Sequence, residues 1–167
     1  MNEKFRKREY PIFRPQLEGC VGRDPRLANE ANEALCYFLY AIAANTNRGA
    51  ICKKIDASSE EVTEMIASDA TEHFQIFGDL ISALGGQPAV HARIVVESIP
   101  VPPEENAAAR KHTVKRVLHA AREENRRATD LLQSLMGHTQ DRVVRSVLSG
   151  ILHDLGMHRE MLNNTLS

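Results

Sequence analysis

Glu30, Asp69, His73, Glu124, Asp154 and His158 have the residue types and spacing to do chemistry together. Asp69 stands four residues before His73, and Asp154 four before His158. On a helix, residues four apart share a face. Steps of four and three join Val62, Ile66, Asp69, His73, Ile76 and Leu80, and a second stripe joins Val147, Ile151, Asp154, His158 and Met161. Each stripe therefore aims a carboxylate and an imidazole at a core, where polar groups need partners. Carboxylate oxygen and imidazole nitrogen together suit a transition-metal ion. They suit a buried hydrogen-bonded pair equally well. Glu30 and Glu124 lie in the helical stretches preceding each stripe, so two halves repeat the order Glu, Asp, His in roles rather than in extended identity.

The elements that must position these residues read as four helices. Asp24, with Pro25 behind it, predicts the start of a first helix running to about Asn45. Leu27, Ala31, Ala34, Leu35, Phe38, Ala41 and Ile42 form its apolar face. Glu30 and Tyr37 lie at one edge of that face, and Glu33 and Tyr40 further towards solvent; a shift of one or two residues in the boundary would exchange the two glutamates. Ser58 with Glu61 fits a capping box for a second helix ending at Gly85-Gly86 and Pro88. Residues 87–105 hold four prolines and little helical period beyond a possible extended piece at 93–96. So long a connection, in a bundle, carries the chain back along the length of its helices. A third helix, from Glu104–Asn106 to about Met136, has the stripe Val114, Val117, Ala121, Glu124, Ala128, Leu131 and Leu135, which places Glu124 inside. The short break at Gly137 and His138 predicts an antiparallel fourth helix over 141–163.

Composition narrows the classes. The 167 residues suffice for one sizeable core, and a net charge of −1 supplies no field for nucleic acid. Aromatic residues make up only 5% with no tryptophan, which favours helices over sheets. Cys20, Cys36 and Cys52 form no C-x-x-C pair, so no rubredoxin-like knuckle or zinc ribbon is expected, and the odd count suits reduced thiols in a cytoplasmic protein. The charged start, Glu3 to Glu9, precedes no apolar leader segment, and the apolar run 34–44 is too short to span a bilayer. Residues 1–22 read as an extended arm before a bundle at 23–167. Phosphate-binding loops and nucleophile elbows are missing from the sequence.

The run IASDATEHFQIFGDLISALGGQP (66–88), the four-helix plan and the long crossover together resemble the ferritin-like superfamily, above all its rubrerythrin-like and manganese-catalase-like bundles. The resemblance covers about 23–163. It implies an all-α, ferritin-like antiparallel four-helix bundle with one long crossover between helices 2 and 3. In that family each half contributes a Glu from its first helix and a Glu-x-x-His pair from its second. Glu30, His73, Glu124 and His158 correspond to members of this set. The glutamates of both Glu-x-x-His pairs do not: Ala70 and Leu155 stand three residues before the histidines, and the aspartates lie one residue earlier still.

Two expectations follow. In the first, Glu30, Asp69 and His73 with Glu124, Asp154 and His158 form an altered iron or manganese site, which the resemblance connects with peroxide or oxygen detoxification fed by an external electron donor. In the second, the same residues are a satisfied, metal-free network in a degenerate bundle that serves as a structural or interaction module. Either form is expected to be a homodimer, with no nucleic-acid or membrane partner. His91, His112, His119, His138 and His153 fall off the core stripes and are expected at the surface.

Overall fold

The computed structural model describes residues 17, 19–91 and 93–167. Four helices account for most of them: α1 (Pro25–Cys52), α2 (Ala57–Ala83), α3 (Ala107–Gly137) and α4 (Arg142–Leu166). Among the described residues there is no strand, and 93–96 lies in the irregular crossover. The cluster Lys4–Arg8 and most of the arm lie outside the described residues, but its end does not hang free. Leu17 and Val21 are buried in the main core, and Gly22 N donates to Asp141 Oδ2.

Local chemistry sets the helix ends. Asp24 accepts from the Leu27 amide at 2.9 Å with Pro25 at the first helical position, as the sequence predicts. The start of α2 differs from expectation: Asp56, not Ser58, caps it and accepts from the Ser59 amide at 2.9 Å. A carboxylate is the stronger acceptor, and both serine hydroxyls donate to it instead of capping. At the other end Gly86 N bonds Ile81 O and Gly85 N bonds Ser82 O, a Schellman closure. Gly85 has φ +84°, and a Cβ on Gly86 would stand 2.6 Å from the Ala28 Cβ, so each glycine has its own reason to be there.

Helix α1 runs seven residues beyond the expected Asn45. Asn47 and Gly49 are poor helix formers, but Asn45, Arg48, Ile51 and Cys52 are all buried and packing overrides propensity. The chain then returns through a tight turn into α2, and α1 and α2 pair along their lengths. The crossover that follows climbs the outside of α1. Asn32 bonds the backbone of Gln87 and Ala89, Asn47 bonds Glu97 O, and Arg110 at the start of α3 bonds Lys54 O in the α1–α2 turn. It thereby delivers α3 to the end where α2 began, so α3 runs parallel to α2 and packs on α4 and α1.

The core is largely apolar, and one layer within it carries two histidines and two aspartates. A large cluster fills one end, from Leu27, Phe38, Phe77 and Leu80 to Leu132, Leu148 and Ile151. A smaller one, Val62, Ile66, Leu118, Ala121, Met161 and Leu162, fills the region beyond. Between them lie Asp69, His73, Asn125, Asp154 and His158, each no more than 4% exposed.

Candidate functional site

The polar layer is built across helices rather than along them. His73 Nε2 on α2 lies 2.8 Å from Asp154 Oδ2 on α4, and His158 Nε2 on α4 lies 2.8 Å from Asp69 Oδ2 on α2. The two bonds are related by an approximate two-fold: one step of four residues up α2 matches one step of four down α4, about 6 Å on each antiparallel helix. The sequence suggested Asp–His pairs within one helix. Side chains four apart point the same way, whereas the facing helix presents its polar atoms head-on.

Burial pulls the pKa of His73 below its ordinary value, against the opposing pull of Asp154. The imidazole is thus neutral at physiological pH. Phe38 meets it edge-on with ring centroids 5.0 Å apart, and Phe38 in turn stacks on Phe77.

The two glutamates do not join this layer. Glu124 lies beside it, half-buried, and accepts both guanidinium nitrogens of Arg48 at 2.5 Å and the Tyr40 hydroxyl at 2.8 Å. Burial works against charge on Arg48, yet the Glu124 bonds hold its pKa above the ordinary value. The Tyr40 hydroxyl is pushed up by burial and then by the neighbouring carboxylate. Arg48 also bonds Asn45 Oδ1, and the Asn45 amide nitrogen bonds Ala41 O. Glu30 sits at the end of the bundle, where it meets His138 at 2.6 Å and Arg26 at 3.1 Å. Its hydrogen bond with His138 lowers its pKa. Glu33 is exposed. The six candidate ligands therefore fall into four separate groupings, and among the described residues no three His, Cys, Asp or Glu side chains converge as a metal ion would need.

A small chamber of about 10 Å³ occupies the polar layer. Ala70 and Leu155 line it beside His73 and His158, with Phe38 and Ala41 from α1 and Ala121 and Asn125 from α3. Asn125 is the inward residue where the stripe reading placed Glu124, one position away. Its amide nitrogen donates to Leu155 O at 3.0 Å. The signal for Asn125 was present: it stands four after Ala121 and three before Ala128, on a stripe at least as regular as the one through Glu124. Arg48 carried no such signal, because it lies beyond the expected end of α1. The other histidines outside the layer, His91, His112, His119, His138 and His153, are exposed.

A carboxylate-bridged metal pair does not fit these residues. From α1 the chamber is lined by Tyr37, Phe38, Ala41 and Asn45, none of them a carboxylate; the residues three before each histidine are Ala70 and Leu155, and a guanidinium already neutralises Glu124.

Comparison with curated proteins returned no match. A family model described as the ferritin-like domain matches residues 28–167, which span α1 through α4 apart from the first three residues of α1. Four helices, one long crossover and a polar layer at mid-bundle accompany that match, and the chain belongs to the ferritin-like family.

Proposed function

We propose that this ferritin-like bundle is a structural or interaction module whose polar layer holds the helices in register, and that it does not operate as an iron or manganese oxidase. The observation that carries this reading is the commitment of every candidate carboxylate to a protein partner. Asp69 and Asp154 bond the histidines of the opposite helix, Glu124 bonds Arg48 and Tyr40, and Glu30 bonds His138 and Arg26. Bridging two ions would require breaking a buried pair and displacing a guanidinium. Buried ion pairs and hydrogen-bonded polar groups have a known use of this kind, namely selecting one helix register among several that an apolar core would tolerate.

The test combines metal analysis with melting. Protein incubated anaerobically with Fe(II) or Mn(II) and desalted is expected to retain no stoichiometric iron or manganese. Its melting temperature should be unchanged by either ion or by chelator, since a ligand of the native state raises it by linkage. Two retained equivalents with peroxide turnover, both lost in His73→Ala/His158→Ala, would overturn the proposal in favour of peroxide or oxygen detoxification.

A further inference from the structure

At the end of the bundle where α2 and α3 begin and α4 stops, a cavity of about 380 Å³ opens to the surface. The helix arrangement creates it. α2 and α3 stand diagonally and barely touch, and α4, which packs on both, reaches the space through Thr165. The floor is apolar: Leu118 is buried, with Val114 and Ile55 half-buried around it. Val114 and Leu118 stand one turn apart on α3, and Lys111 and Lys115 form the neighbouring stripe at the same spacing. Arg110 lines the same wall. One face of α3 thus joins an apolar floor to an edge of cations.

Those cations are not neutralised within the chain. Among the described residues Lys111 and Lys115 form no ion pair. The Arg110 guanidinium donates to the backbone oxygens of Lys54 and Pro102, which leaves its charge uncompensated. Asp56 on the opposite wall is occupied, since its carboxylate caps α2 and accepts from both serine hydroxyls. Glu104 is exposed and pairs with none of the three. The groove between α3 and α4 around Arg122, Arg126 and Arg159 differs on both counts. There Glu123 and Asp130 pair with Arg126, and every lining side chain is polar.

A bare inorganic anion would leave the apolar floor in water, and a neutral apolar molecule would leave the lysines unmet. Three cations against Asp56 and Glu104 leave one net positive charge, which a monoanion neutralises. We propose that this cavity binds a small amphipathic monoanion, an unbranched aliphatic carboxylate of medium length. Its chain lies on Ile55, Val114 and Leu118, and its carboxylate meets Lys111 and Lys115. The volume falls within the range of about 300–1,000 Å³ usual for small-molecule sites. The cavity lies apart from the His73 and His158 layer, so the proposal goes beyond the register-holding reading and does not depend on it.

The experiment titrates the full chain with octanoate below its micelle concentration, read by calorimetry and by amide chemical shifts along 107–118. One site per chain is expected. Octanol, which lacks the charge, should bind about tenfold more weakly. Between hexanoate and octanoate each added methylene should tighten binding about two- to fourfold. Lys111→Glu/Lys115→Glu alters two exposed side chains. It should lose octanoate and gain octylammonium, a swap that misfolding could not produce. Arg122→Ala/Arg159→Ala removes cations outside the cavity and should leave binding unchanged. No binding, or equal binding of octanoate by the charge-reversed variant, would overturn the proposal. So would inorganic phosphate that binds as tightly as octanoate, or attachment to anionic lipid vesicles without binding of free octanoate. None of these outcomes bears on iron or manganese retention, so this proposal and the preceding one fail separately.

Discussion

The α2–α4 seam and the α1–α3 seam use similar residues to opposite ends. Across α2 and α4, two identical Asp-x-x-x-His segments cross-pair with equal 2.8 Å bonds, and both pairs are sealed from solvent. Across α1 and α3, Glu30 and Glu124 occupy comparable places in the sequence but part company. Glu124 lies against α1 and takes Arg48, whereas Glu30 reaches the α3–α4 turn and takes a half-exposed His138. An acidic residue in a bundle thus acts according to what its level in the stack supplies. Within the mid-bundle layer the supply is an imidazole from the facing helix; beside that layer, against α1, it is a guanidinium; at the end of the bundle it is a surface histidine and Arg26.

The contrast predicts a ranking of energetic effects, each measurable by urea unfolding. Asp154→Ala leaves the buried His73 imidazole N–H without its acceptor and should cost about 3 kcal/mol, the upper end of the range for an unsatisfied buried polar group. His73→Leu/Asp154→Leu should recover most of that loss, because removing both partners is close to neutral; equal destabilisation in the double variant would contradict the pairing.

Next comes Glu124→Gln, which removes a charged acceptor from a largely buried Arg48 and should cost about 1.5–3 kcal/mol. If this seam proved more sensitive than α2–α4, the ranking by burial would be wrong. Tyr40→Phe deletes a single hydrogen bond to the same carboxylate and should cost about 1 kcal/mol.

Glu30→Gln should give the smallest effect, and its signature is pH rather than size. His138 lowers the Glu30 pKa below its ordinary 4.5 in the folded state. The unfolded chain therefore binds more protons as the pH falls through that region, and the folded state loses stability. The carboxylate's contribution is complete above the unfolded value and disappears as pH falls through the folded one. Wild type and Glu30→Gln should differ slightly at pH 6 and converge in acid. A gap that widened on acidification would refute the assignment.

How far the site was legible follows from the periodicity of helices. Asp69, His73, Asp154 and His158 stand on stripes flanked by apolar residues on both sides, so their burial could be read without a structure. Glu124 and Asn125 could not be separated in the same way. Neighbouring residues differ by about 100° around a helix, and a long α3 with alanines on several faces admits two stripes that differ by one position. The end of α1 was misjudged for a related reason. Asn45, Asn47 and Gly49 read locally as a stop, and the burial of Ile51 and Cys52, with Arg48 paired to Glu124 76 residues away, favours the longer helix.

By itself, then, the sequence determined the number of helices, the glycine closure of α2, the long return to α3 and the four polar residues that must be inside. Those are local facts of propensity, capping and period. The tertiary structure alone decided that Asp69 belongs to His158 rather than to His73, that Asn125 rather than Glu124 faces the chamber, and that Glu30 stands apart from it. Such choices depend on the register and rotation of one helix against another, which the packing of all four helices sets together.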